Sequence, residues 1–305
     1  MEHHNVVIIG GGPAGLAAAL ELHARGVKDV VVLEREQQAG GIPRHCGHKG
    51  FGLYKNYGLL TGPKLAAQLR AMTAGLDVRT ATTVLEFNMR GNMRVQTANG
   101  VAEMSADKII IATGTRETSR AARLIGGNKL QGVMSSGELQ QRVYLNGERP
   151  IKRPVIVGGE WVSYSNLMTC RHLQIKPVAM IAEGKADAPK FFEWGARLLF
   201  QTPVLGNAKL LSILGKKTVE AVEILQGDKK RLIECDSVII SGQHRSENAL
   251  FAQGFLERDG FAPKVTENFR TSKPTVFAVG NVLDGLETAG MCMKRGAEVA
   301  RLIAV

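Results

Sequence analysis

Three glycines, at positions 10, 12 and 15, separate an apolar run from a small-residue run in Asn5-Val-Val-Ile-Ile-Gly-Gly-Gly-Pro-Ala-Gly-Leu-Ala-Ala-Ala-Leu20. That spacing suits the pyrophosphate of a dinucleotide. Gly10 permits a tight turn, Gly12 lets the backbone approach the phosphates, and Gly15 lets the following helix pack closely on the strand. Pro13 and Ala14 lie in the same turn, and the helix behind them points its free N–H groups at an anion. A second apolar run, Asp29-Val-Val-Val-Leu-Glu34, ends in an acid 24 residues after Gly10. Glu34 is placed to accept ribose hydroxyls, with Arg35 beside it.

A second glycine turn departs from that pattern. Arg153-Pro-Val-Ile-Val-Gly-Gly-Glu-Trp-Val-Ser-Tyr-Ser-Asn-Leu167 begins as a strand, but its fingerprint positions are Gly158, Glu160 and Ser163. A carboxylate at Glu160 would lie against the N–H groups a pyrophosphate needs, capping the helix from within and repelling a doubly charged ligand. Ser163 is small enough for fairly close packing. The expectation is a retired site and no use of NAD(P)H. Against it stands Val178-Ala-Met-Ile-Ala-Glu183, whose Glu183 occupies the place of a ribose-binding acid.

The cysteines limit redox chemistry within the chain. Cys46, Cys170, Cys235 and Cys292 are far apart, with no CxxC pair. A structural disulfide, zinc site or dithiol relay is not expected. Only Arg44-His-Cys-Gly-His48 sets a cysteine beside histidines, and Cys46 has no resolving partner there.

The elements that must position these residues follow from the rest of the chain. With 305 residues, 44% hydrophobic and 22% charged, and 35 glycines, the composition implies a globular α/β protein of one or two domains. The net charge of +11 is spread over Arg149–Arg153, Lys216-Lys217 and Lys229-Lys230-Arg231, without interleaved aromatics or a nucleic-acid motif. It suits solvated loops or steering of an acidic partner or anionic substrate. Val6–Leu20 is too short and too interrupted for a membrane span, and no signal-peptide pattern precedes it, so a cytoplasmic chain is expected.

Two more segments carry a family resemblance. Lys108-Ile-Ile-Ile-Ala-Thr-Gly-Thr-Arg-Glu117 resembles the ATG strand that closes the FAD domain of flavoproteins with two dinucleotide-binding domains, through Ala112, Thr113 and Gly114. Thr271–Asn281 resembles their second FAD motif, in which the residue after Gly280 bonds the ribityl chain. That residue is usually Asp and is Asn281 here, whose amide oxygen also accepts. The resemblance implies FAD, and a thioredoxin-reductase-like α/β plan of two Rossmann-like domains. The FAD domain would be 1–116 with 245–305, and the inserted domain, degenerate in its nucleotide site, 117–244. It also implies a helix starting near Thr288 and Ala289 that points its positive end at the flavin pyrimidine. His244 and Arg245 would lie at the domain junction. Thioredoxin reductase itself is not expected, because Gln131–Gln140 holds serines in place of the CxxC pair.

Gly40-Gly-Ile-Pro-Arg-His-Cys-Gly-His48 is similar to the motif of the FAD subunits of hydrogen cyanide synthase, opine oxidases and D-hydroxyproline dehydrogenase. It brings Gly41, Ile42, Arg44 and His48 into the implied cofactor contacts, and makes Arg44, His45, Cys46 and His48 candidates for orienting the isoalloxazine, beside the plainer reading of loop packing. The resemblance implies an electron-transfer subunit whose partner flavoprotein oxidises an amino or imino acid. Larger members add a cysteine-rich iron–sulfur region; since this chain stops at Val305, such a cluster is expected on another subunit. No metal site is expected here. Two alternatives remain: an NAD(P)H-dependent flavin oxidoreductase, and a non-catalytic FAD-bearing scaffold.

Overall fold

A computed structural model describes residues 1–51, 59–183, 190–252, 254–283 and 285–304, and the side chains of 190–194 are not described. The chain forms two compact units: Met1–Arg44, Lys49–Arg116 and His244–Val305 in the first, and His45–His48 with Glu117–Gln243 in the second.

The first unit is built on strands β1 (Glu2–Ile9), β2 (Val30–Leu33), β3 (Asp77–Arg79), β4 (Thr83–Phe87), β5 (Asn92–Thr97) and β6 (Gly100–Ile111), in the order β3-β2-β1-β6-β5-β4. The first half of β1 is polar and mostly exposed, whereas Val6–Ile9 are buried on both faces, as a parallel strand covered from both sides requires. Helix α1 (Pro13–Ala24) connects β1 to β2, and α2 (Gly62–Met72) precedes β3. Strand β6 serves twice: residues 100–105 pair antiparallel with β5, while Ile109–Ile111 lie between β1 and the C-terminal strand β20 (Val276–Ala278), parallel to both. One core contains Ile8, Leu16, Leu22, Leu65, Ile110 and Val299; the other contains Val7, Ile9, Ile109, Ile111, Phe251 and Val282. Alternating residues of β1 and β6 therefore feed opposite layers.

In the second unit, β9 (Val133–Ser135), β10 (Pro154–Val157), β11 (Ala179–Ala182), β12 (Val204–Gly206) and β16 (Ser237–Ile240) make an all-parallel sheet, β12-β11-β10-β16-β9. Helices α3 (Ser136–Tyr144), α4 (Trp161–His172) and α5 (Lys190–Leu199) follow β9, β10 and β11. A meander of β13 (Ala208–Leu214), β14 (Ala221–Gln226) and β15 (Lys229–Glu234), with the two-residue β8 (Gly126–Gly127), adds a second layer whose Leu210, Ile213 and Val222 share a core with Val155 and Val157. Short strands β7 (Thr115–Glu117) and β17 (His244–Ser246) mark where the chain passes between units, and β18 (Arg258–Asp259) with β19 (Ala262–Pro263) is a hairpin of the first. This is the expected α/β class with two dinucleotide-binding-type folds. The division differs from the expected 1–116 with 245–305 and 117–244 in two places: His45–His48 group with the second unit, and His244 groups with the first.

Helix α6 (Ala289–Ile303) crosses α1 closely because Gly296 has no side chain: a Cβ there would overlap the Ala14 carbonyl oxygen. Backbone cannot yield as a flexible side chain does. Gly296→Ala should therefore destabilise the chain by about 2 kcal/mol or more, read as a lowered Tm in thermal unfolding.

Candidate cofactor site

The turn after β1 separates glycines the fold needs from one it does not. Gly10 has φ +110°, and a Cβ there would lie 2.5 Å from the Ala112 carbonyl oxygen, while one on Gly15 would overlap Gly10 itself. Both are obliged by packing. Gly12, the N-cap of α1, has an ordinary φ of −80°, and a Cβ on it would meet nothing nearer than Gly41 Cα at 3.9 Å. Nothing in the folded chain calls for glycine at 12, so the open side is suited to a ligand. Helix α1 starts with no side-chain cap and no acid in its first turn, with Pro13 leading and Ala14 buried. Its positive end is left for an anion.

Around this turn the expected residues converge. Glu34, 6% exposed, accepts the Gly11 N–H through Oε2 at 2.8 Å and the Glu36 N–H through Oε1 at 2.9 Å. One lone pair on each oxygen remains for a hydroxyl donor. Arg35 is largely exposed, 3.6 Å from Glu247. Gly41, at φ +60°, brings its backbone against Gly12: a Cβ would fall 2.9 Å from Gly12 Cα. Ile42 is exposed at 55%. Arg44 is mostly buried, 4.0 Å from Glu36, and its Nε has no hydrogen-bond partner. A buried unpaired guanidinium N–H suits a phosphate oxygen.

From the other side, Ala112 donates its N–H to the Ile9 carbonyl, and Thr113 Oγ1 donates to the Glu247 carbonyl at 3.0 Å. Gly114, at φ +72°, accepts the Glu247 N–H. Glu247 thus closes the ATG strand through its backbone, a role no sequence pattern signalled. Gly280, at φ +80°, leaves room for Ala14, since a Cβ would lie 2.9 Å from the Ala14 methyl. The Asn281 amide oxygen already accepts the Glu287 N–H at 2.9 Å and the Cys292 thiol at 3.3 Å. It shapes the turn into α6, where Thr288 is the N-cap, accepting the Met291 N–H, and Ala289 the first helical residue.

The Arg44–His48 cluster is not one group. Arg44 belongs to the first unit, whereas buried His45, Cys46 and half-buried His48 belong to the second. Cys46 donates its thiol to Gln140 Oε1 at 3.2 Å, Gln140 Nε2 donates to Ser165 Oγ at 2.9 Å, and a Cβ on Gly47 would overlap the Tyr144 ring. Gln140 was not a sequence candidate, because a lone glutamine carries no motif. Burial and the nearby Glu117 carboxylate push the Cys46 thiol up to about 12. Desolvation likewise raises Cys170 to about 12, and Cys235 and Cys292 to about 11. All four are free, buried and protonated at neutral pH. Arg245 stacks over Phe261, 4.3 Å from the ring centroid.

At the second turn Glu160 is the N-cap of α4, but its carboxylate turns away from the helix N–H groups. Oε2 accepts the Gly159 N–H at 3.1 Å and the Ser163 hydroxyl at 2.8 Å, and the group lies on Gly242, whose Cβ, if present, would overlap it. The expected capping from within is corrected accordingly. The carboxylate fills the space between the glycine turns after β10 and β16, where diphosphates seat in such sheets. Ser163 contributes a donor as well as small size. Glu183 is exposed directly after β11. Among the described residues no cluster of His, Cys, Asp or Glu could hold a metal, and no helix is long and apolar enough to cross a membrane.

Residues 4–296 match the family model "Pyridine nucleotide-disulphide oxidoreductase". The chain is 26% identical to an opine oxidase subunit of Rhizobium meliloti over 99% of its own length and 62% of that protein. It spans just under two thirds of the curated relatives heading the comparison, at 62%, 64% and 63% of their lengths. The T. acidophilum thioredoxin reductase structure superposes with a TM-score of 0.81 at 21% identity, covering 100% of this chain and 98% of that one. L-proline dehydrogenase from P. horikoshii superposes at 0.74 and 19% identity, covering 99% and 55%.

Two outcomes are expected. Gly12→Val should leave the Tm of the flavin-free chain within a degree or two of the parent, about the span of a neutral surface change, yet abolish FAD uptake measured by flavin absorbance after reconstitution. The thiols should be unreactive to a chromogenic disulfide at pH 8 until denaturant is added. Because folding raises their pKa above the unfolded value of about 8.5, their contribution is full below that pH and is lost as pH rises through about 11 to 12. Tm should fall across that window.

Proposed function

The chain belongs to the pyridine nucleotide-disulphide oxidoreductase family and is an FAD-dependent oxidoreductase, and we propose that it is the electron-transfer subunit of a heteromeric amino- or imino-acid dehydrogenase. In this role a partner flavoprotein subunit takes the hydride from a substrate of the proline, hydroxyproline, opine or glycine type, and this chain passes the electrons onward. Similarity to the opine oxidase subunit of Rhizobium meliloti and the fold shared with L-proline dehydrogenase support the substrate class.

Bound FAD supplies reversible storage of two electrons. The chain's own part is to hold it. Gly12 and Gly41 admit the pyrophosphate, the uncapped end of α1 and the Arg44 guanidinium balance its charge, and Glu34 receives the adenosine ribose. On this proposal Pro13, Ala14, Gly15 and Gly10 shape the floor, Ala112–Gly114 and Gly280 flank the flavin, and Thr288 and Ala289 begin the helix facing it.

The observation that carries the proposal is the seat of Glu160. A carboxylate held by Gly159, Ser163 and the face of Gly242 stands where a nicotinamide dinucleotide needs its diphosphate. At about 4 Å the repulsion is roughly 1 kcal/mol in water and about 4 kcal/mol near a protein surface. Each 1.4 kcal/mol is tenfold in affinity, so the upper figure removes about three orders of magnitude. With every thiol buried and protonated, reduction through an internal dithiol is also closed. Electrons then arrive from another protein.

Anaerobic mixing of the flavoprotein with NADH, and separately NADPH, tests this. The flavin's visible absorbance should stay unbleached with both. Glu160→Gly should restore measurable nucleotide binding. Rapid bleaching of the parent protein by either nucleotide would sink the proposal and favour the NAD(P)H-dependent flavin oxidoreductase.

A further inference from the structure

Leu124 breaks two local rules at once. Its side chain is 91% exposed, the highest value among the described large apolar residues, and its backbone is left-handed at φ +54°. Gly or Asn ordinarily takes such a position, since a branched side chain there costs about 1–2 kcal/mol. Seven other described non-glycine residues share positive φ; of these only Phe269 and Ala81 are apolar, and both are partly buried.

The loop that presents Leu124 is braced. The Arg123 N–H donates to the Ser119 carbonyl, the Leu124 N–H to Ala121 and the Ile125 N–H to Arg120, while Ser119 Oγ accepts the Ala122 N–H. The Arg120 guanidinium donates to the carbonyls of Ile125, Asn128, Gly126 and Gly127, using all its nitrogens. Arg123 donates to the Ser241 carbonyl at 2.6 Å, and Gly126–Gly127 pair with β13. A loop tied on three sides does not relax to hide the leucine or to release its φ. Strain kept by an over-determined backbone points to a use for the strained residue.

We propose that Ser119–Gly127 is a preformed docking loop that inserts Leu124 into an apolar pocket, rimmed by carboxylates, on a partner protein. Charge selects that partner: Thr118–Gly137 contains Arg120, Arg123 and Lys129 and no Asp or Glu. The exposed methyls of Ala121 and Ala122 flank the leucine. An aliphatic anchor already rigid before contact loses little entropy on binding, which is how a small patch reaches useful affinity. The partner is the substrate-oxidising subunit, so this inference rests on the proposed function.

The full-length flavoprotein is purified with its companions from the native cell, the companion subunit is separated, and it is titrated back onto parent and variants. Leu124→Asp should weaken association by about tenfold or more, with flavin spectrum and Tm unchanged. Leu124→Gly should weaken it similarly while keeping Tm at or above the parent value, because glycine relieves the left-handed strain. Leu124→Met should bind within about threefold of the parent. Raising salt from about 50 to about 300 mM should weaken the parent complex. Companion binding unchanged in the Asp and Gly variants, or indifferent to salt, overturns the inference and leaves the proposed function standing. A homodimer of the isolated chain that Leu124→Asp splits makes the occupant a second copy and also overturns it. A parent chain that brings down no companion defeats the proposed function, and the inference with it.

Discussion

The first N–H groups of a helix that follows a parallel strand must be answered by something negative or polar. In α1 the chain leaves them open: Gly12 offers no side chain, no acid stands in the first turn, and Gly41 is pressed close enough to wall one side. In α4 no side chain caps them either, but the turn carries its own anion, because the Glu160 carboxylate turns aside onto the Gly159 N–H and the Ser163 hydroxyl. Two copies of one supersecondary plan thus differ in whether the negative charge is external or built in.

That difference governs what the rest of the molecule has to do. An open first turn needs a rigid frame, and β1 supplies it between β2 and β6, with Ala112 and Val279 backbone groups tied to Ile9 and Ile111. Glu34 is held by two backbone donors, so its carboxylate arrives pre-oriented. The second turn is filled by the Glu160 carboxylate, against Gly159, Ser163 and Gly242. The interior of that unit holds a polar chain from Cys46 through Gln140 to Ser165, in which the thiol is a protonated donor, and its surface carries a braced loop that exposes Leu124.

Local pattern alone determined much of this. The strand–glycine–helix order, the acid ending β2, the ATG strand and the Gly280 turn are encoded in contiguous residues, because tight turns and close helix–strand packing admit few side chains. The α/β class and the substitution at Glu160 were readable for the same reason. Cysteine spacing sufficed to exclude a CxxC relay.

Only the tertiary structure decided the rest. Whether Glu160 would cap its helix or lie across the turn depended on Gly242, 82 residues away, since the absent Cβ there makes room for the carboxylate. Arg44 and Cys46, two residues apart, belong to different units because Gln140 receives the Cys46 thiol and Tyr144 lies against Gly47. Glu247 and Gln140 act through partners distant in sequence, which no periodicity records. That Gly10 and Gly15 are required by packing while Gly12 is not could be learned only from what a Cβ would meet in space.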